Sequence, residues 1–138
     1  MKMAIAAALS VLLSAPAALA ADLTVSLTSR ADGGTLAVAV YRDAAAFRRG
    51  EGAVATRTVP RTGATTTVTF TGLEPGRYAV AAFHDTDGNG ELSTWPVGLP
   101  KEAYGFSRDA RGRFGPPSFD AAAFDLPAAG ARQAFALR

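Results

Sequence analysis

The sequence predicts an all-β protein, a single immunoglobulin-like or prealbumin-like Greek-key β-sandwich of about seven strands with one long end loop. Three observations carry that expectation. Short segments such as Leu23 to Thr28 alternate apolar and polar side chains with the period of two that a half-buried strand requires. Turn residues, among them Asp32-Gly33-Gly34 and the pair Pro60 and Gly63, interrupt these segments at short intervals. Leu73-Glu74-Pro75-Gly76-Arg77-Tyr78 has the Leu-x-Pro-Gly-x-Tyr form of a tyrosine corner, in which the phenol bonds to backbone a few residues upstream and pins a crossover between two sheets. An ordinary Pro-Gly turn is the alternative there, and it leaves the all-β expectation intact.

In chain order, Leu23, Val25 and Leu27 share one face of the first strand, with Thr24, Ser26 and Thr28 on the other. Thr35 to Arg42 sets Leu36, Val38 and Val40 against small alanines and Tyr41, the pattern of a central strand buried on both sides. Asp43 to Arg49 reads as a short helical turn with Asp43 as N-cap and Gly50 as stop. Ala53 to Val59, Ala64 to Thr71 and Tyr78 to His84 give three further strands. Past His84 regular patterning stops until about Phe119, and loops of that length are uncommon unless functional or disordered. The apolar Trp95, Leu99, Tyr104, Phe106 and Phe114 argue against disorder. Phe119 to Leu126 is a strand or short turn, and Arg132 to Leu137 is the last strand.

Ahead of this domain the sequence has the form of a leader. Lys2 is its only early charge, Met3 to Leu13 is largely apolar, and Ala18-Leu19-Ala20 places small residues before Asp22, the order of regions in a signal peptide. Cleavage after Ala20 assigns residues 1–20 to the signal peptide and 21–138 to the β-sandwich domain. The apolar run contains Ser10, is followed by Ser14 and Pro16, and is shorter than the ~20 residues of a membrane span. The expected location is therefore the periplasm or the medium, with no transmembrane segment after signal cleavage. With no cysteine, an exported fold of this kind relies on packing or on a bound ion. Fourteen basic residues against 12 acidic ones give a net charge of only +2, and the arginines are spread along the chain, so nucleic acid is not an expected partner.

The chemistry concentrates after His84. Asp85-Thr86-Asp87-Gly88-Asn89-Gly90 matches D-x-[DN]-x-[DN]-G, the first half of an EF-hand-type calcium loop, in which oxygens at positions one, three and five converge on the ion. Glu91 offers its backbone carbonyl at position seven and Ser93 stands at position nine. Pro96 occupies position twelve, where a full loop has a bidentate glutamate, so the remaining ligands must come from water or from Glu102. The candidate calcium ligands are Asp85, Asp87, Asn89, Glu91, Ser93 and Glu102, and such a site is expected to be weak, about 10⁻⁴ to 10⁻³ M. The alternative is a hairpin turn, for which Asp-Gly and Asn-Gly are favoured pairs. Two carboxylates in one turn repel each other, which a cation between them relieves.

His84 is the single histidine, which excludes HExxH chemistry and every site needing two. A triad of Ser93 or Ser107 with His84 and Asp85 has no G-x-S-x-G elbow behind it, and adjacent strand residues point to opposite faces. Asp87 with Glu102 invites a glycosidase reading that the spacing does not favour. No catalytic residue is assigned. Trp95, Tyr104, Phe106 and Arg108 form the candidate ligand-binding set, a surface for a carbohydrate, a peptide, an acidic partner or an envelope partner at one end of the sandwich. The competing role for these aromatics is to cap the open end of the core.

Three blocks in order, His84-Asp85-Thr86-Asp87-Gly88-Asn89-Gly90-Glu91-Leu92, Gly98-Leu99-Pro100-Lys101-Glu102-Ala103-Tyr104-Gly105-Phe106-Ser107, and Gly115-Pro116-Pro117-Ser118-Phe119 with Phe124, span roughly the last half of the mature chain. In them the sequence resembles a bacterial family of small exported proteins catalogued as domain of unknown function 2141. The resemblance implies a signal peptide and a sandwich of immunoglobulin or prealbumin type, and brings no established activity. Ser93 stands where such loops usually show Asp, which removes one ligand. The function expected is that of an exported, non-catalytic binding module with a weak calcium loop; the alternative is a small extracytoplasmic hydrolase using His84 and nearby acids.

Overall fold

The computed structural model describes residues 20–88, 102–113 and 115–138. Within them the chain is an all-β sandwich of two sheets. The strands are β1 (Ala21–Thr28), β2 (Thr35–Tyr41), β3 (Ala55–Pro60), β4 (Thr65–Leu73), β5 (Gly76–Asp85), β6 (Tyr104–Phe106), β7 (Phe124–Leu126) and β8 (Ala131–Ala136). Two short helices, α1 (Ala44–Arg49) and α2 (Phe119–Ala122), and a 3-10 turn at Ser107–Asp109 complete the elements. The expected leader, apart from Ala20, lies outside the described residues, and among those residues no helix is long and apolar enough to cross a membrane.

The first sheet has the order β4-β1-β8, with β1 antiparallel to β4 and parallel to β8. Leu23 sits opposite Phe70 and Val25 opposite Val68, while Leu27 lies beside Phe135. The period of two therefore places one apolar row inward, and Leu23, Val25 and Leu27 are all fully buried. The second sheet has the order β3-β2-β5-β6, and β7 pairs the start of β5. Leu36, Val38 and Val40 of β2 face inward beside His84, Ala82 and Val80 of β5, and the two rows form the core between the sheets.

The two long sides of the sandwich differ. On one, the amide of Tyr104 donates to the carbonyl of Arg138 (3.2 Å) and that of Arg138 donates to Tyr104 (3.0 Å), so β6 of the second sheet is stitched to the end of β8 in the first. On the other, β3 and β4 are not paired, and Arg57 Nη1 reaches across to donate to the carbonyl of Thr69 at 2.9 Å.

The tyrosine corner is present. Tyr78, 1% exposed, donates its hydroxyl to the carbonyl of Glu74 at 2.5 Å, while Arg42 covers the ring and pairs with the Glu74 carboxylate at 2.8 Å. Tyr78→Phe keeps the ring and deletes the bond, leaving a partly buried carbonyl without this donor. A loss of about 1–2 kcal/mol in urea unfolding is expected, and a variant as stable as the wild type would show that the corner is ornamental.

Local signals read from the sequence hold at α1, where Asp43 Oδ2 accepts from the Ala46 amide at 3.0 Å and Gly50 terminates the helix at φ 67°. The interval after His84 differs from expectation: β6 and the 3-10 turn lie inside it, which brings the described strands to eight. Three residues, Tyr104-Gly105-Phe106, are too few for an alternation to be visible. Of the segment Phe119 to Leu126, expected as a strand or short turn, Phe119–Ala122 is one helical turn, capped by Ser118 Oγ accepting from the Ala121 amide at 3.2 Å, and Phe124–Leu126 is a strand. Ser107 is wholly buried as a strut: its Oγ accepts from the Val80 amide (2.9 Å) and donates to the Ala122 carbonyl (2.5 Å). These pieces pack on the outer face of the second sheet, where Phe47 meets Tyr41, Phe106 and Phe119 edge-on at 5.6, 5.7 and 6.0 Å.

Candidate metal centre and an aromatic trough

The last residues of β5 are buried although polar: His84 is 1% and Asp85 2% exposed. Strand alternation separates their side chains. Asp85 Oδ1 accepts from the amide of Gly88 at 2.9 Å, bending the chain just past the strand so that Asp87 comes round beside it. Glu102 enters from the other direction, immediately before β6, and is 7% exposed. Its Oε2 accepts from the amide of Thr86 at 2.6 Å and from Thr86 Oγ1 at 3.1 Å. The result is a convergence: one ligating oxygen from each of Asp85, Asp87 and Glu102 lies within 4.8 Å of the other two.

Such a group can hold a metal ion. Its donors are all carboxylate oxygens, the chemistry of a hard divalent cation. Of the six expected ligands, these are the three that the structure brings together; Asn89, Glu91 and Ser93 lie outside the described residues. Glu102, the residue expected to stand in for the ligand that Pro96 cannot supply at position twelve, is brought to Asp85 and Asp87 by the pairing of β6 beside β5.

His84 faces the other way. Its Nε2 meets the carbonyl of Gly33 at 2.6 Å, and since a carbonyl only accepts, that nitrogen carries the proton. Nδ1 is shielded from solvent and has no hydrogen-bond partner among the described residues. The ring edges a cavity of about 420 Å³ shared with Arg30, Thr86, Glu102 and Arg138, but neither nitrogen is offered to it as a base.

A second concavity lies on the outer face of the second sheet. Ala37, Ala39 and Ala81 form its floor, Phe83, Tyr104 and Phe106 stand along one side, and Gly50, Gly52 and Ala53 rim the other; its volume is about 550 Å³. Two of the expected ligand-binding residues, Tyr104 and Phe106, line this trough. Trp95 lies outside the described residues. Arg108 is not on the lining: at φ 61° it donates to the carbonyl of Ala123 at 3.3 Å. The alanines, Phe83 and Tyr41 were not marked by the sequence as site residues. The available signal was the run of small side chains opposite Leu36, Val38 and Val40, which reads as a buried face but equally fits a cleft.

The chain matches the protein family described as "Uncharacterized protein conserved in bacteria (DUF2141)" over residues 25–134. Neither the curated proteins nor the solved structures yielded a match.

Proposed function

We propose that this chain, which belongs to the DUF2141 family of uncharacterized bacterial proteins, is an exported, non-catalytic β-sandwich binding module whose acidic end site holds calcium. The convergence of Asp85, Asp87 and Glu102 carries this reading. All-oxygen donors on a D-x-[DN]-x-[DN]-G sequence suit calcium better than softer metals. Export is supported by the order of Lys2, the apolar run to Leu13 and Ala18-Leu19-Ala20, and it delivers the site to a compartment where millimolar calcium is available to a weak binder. A hydrolase using His84 is disfavoured, because a general base must reach its proton and this imidazole is committed to Gly33 and walled in.

Calcium titration of the chelator-stripped protein tests the reading, by calorimetry and thermal melts in parallel. At tenfold excess over a Kd of about 1 mM, binding stabilises the fold by about 1.4 kcal/mol, a rise in Tm of roughly 5–10 °C for a domain of this size. Asp87→Ala, at an exposed position, is expected to fold and to lose most of that rise. No heat and no shift at about 10 mM calcium would leave Asp85 to Gly90 as a turn and end the proposal.

A further inference from the structure

The outer face of the second sheet carries an apolar stretch across β2, β5 and β6, which the described elements cover only in part. α1, α2 and the 3-10 turn close one part into a small core around Tyr41, Phe47, Ala79 and Ala122. Beyond it, the floor of Ala37, Ala39 and Ala81 is only partly covered by the described residues, Ala39 and Ala81 packing at one end against that small core. The strands fix its layout: Ala37, Phe83 and Tyr104 stand in one cross-strand row and Ala39, Ala81 and Phe106 in the next. Small methyl groups make a level floor, and the aromatic side gives it a wall. Its 550 Å³ falls within the ~300–1,000 Å³ of small-molecule sites.

The lining carries few polar side chains, Tyr41, Thr56, Arg57 and Thr58, and Asp85 lies one row beyond Phe83 on the same face. No acidic residue lines it. Arg57, the single charged lining residue, is engaged by the Thr69 carbonyl. The guanidinium of Arg111 stands 5.9 Å from the centroid of the Tyr104 ring, and Arg111 has no salt bridge among the described residues. Tyr41 closes the end of the trough next to α1; it is 5% exposed, and its hydroxyl has no hydrogen-bond partner among the described residues. Burial pushes the phenol's pKa up, so at neutral pH it remains a donor.

We propose that the trough binds flat, ring-bearing organic anions, an aromatic carboxylate or sulfonate, with the rings on the alanine floor against Phe83, Tyr104 and Phe106 and the anionic group drawn to Arg111. Apolar area and ring stacking supply most of the affinity; the arginine selects the charge. The trough borders the carboxylate group, since Asp85 is the next outward residue after Phe83 on β5, but it uses none of those oxygens, so it can be tested in chelator and fail or succeed independently of the calcium reading.

The probes are two dyes with the same phenyl-naphthylamine rings: anilinonaphthalene sulfonate, which is anionic, and N-phenyl-1-naphthylamine, which is neutral. Fluorescence titration of the whole protein is expected to show saturable one-to-one uptake of both, with the anion held more tightly. Ala39→Leu, which raises a side chain from the floor, should weaken both dyes at least about tenfold while the thermal melt stays cooperative. Ala81→Leu serves the same purpose should Ala39→Leu not fold. Arg111→Ala should weaken the anionic dye about two- to fivefold and leave the neutral one unchanged, the size expected of one exposed charge. Absence of uptake by the wild type, or uptake undiminished in a folded floor variant, overturns the site. Equal effects of Arg111→Ala on the two dyes overturn the anion preference.

Discussion

Gly34→Ala is expected to lower stability by about 2–4 kcal/mol and to weaken the calcium response with it. Gly34 has φ +69°, and a methyl group there would stand 2.6 Å from the Asp85 carbonyl and 3.2 Å from His84 Nε2. The turn between β1 and β2 therefore rests directly on the end of β5, held by the bond from His84 to Gly33. An alanine has to push that end away, and Asp85 and Thr86 belong to the displaced backbone. Gly33 provides the control: its φ is +72°, but no atom of the described residues lies within 4 Å of a methyl group there. Gly33→Ala should cost only the left-handed backbone term, about 1–2 kcal/mol, and leave calcium binding as it was. Equal losses in urea unfolding for the two variants would show that the close approach contributes nothing.

Gly105→Ala is the second large effect, about 2–4 kcal/mol, and it acts where β6 closes onto the end of the chain beyond β8. A methyl group on Gly105 would run into the Ala136 carbonyl and come within 3.1 Å of the Phe135 ring. Relief requires β6 to leave β8, which gives up the pair of bonds between Tyr104 and Arg138. Amide exchange at Tyr104 and Arg138 should accelerate well ahead of exchange in β1, and uptake of both dyes should fall, because Tyr104 and Phe106 move with the strand. Gly115→Ala, with no atom of the described residues within 4 Å, should be close to neutral. Protected amides at Tyr104 and Arg138 in a stable Gly105→Ala variant would sink this account of how the sandwich is closed.

What the sequence revealed follows from the range of each interaction. The Asp43 and Gly50 caps and the Tyr78 corner are made within a few residues, so their chemistry is written where it acts. Asp85 and Asp87 are likewise neighbours, and the missing ligand at Pro96 pointed to Glu102. What the sequence did not reveal depends on distant partners. β6 is three residues long and exists because β5 offers it an edge, and Ser107 is a strut because Val80 and Ala122 stand on either side of it. The trough needs β2, β5 and β6 in register, and alanines such as Ala37 and Ala81 carry no mark of which burial they serve.

The parallel pairing of β1 with β8 sets the order in which the molecule can be made. The first strand finds one of its two neighbours in the last, so the central position in that sheet stays half-empty until the end of the domain is available. Contacts of such long sequence separation carry the loop-closure entropy of nearly the whole chain and form late. Fragments ending before β8 should be loosely collapsed and open to proteases. Under the proposed export that delay is useful, since a chain whose keystone arrives last remains threadable until it has crossed, and it locks only on the far side.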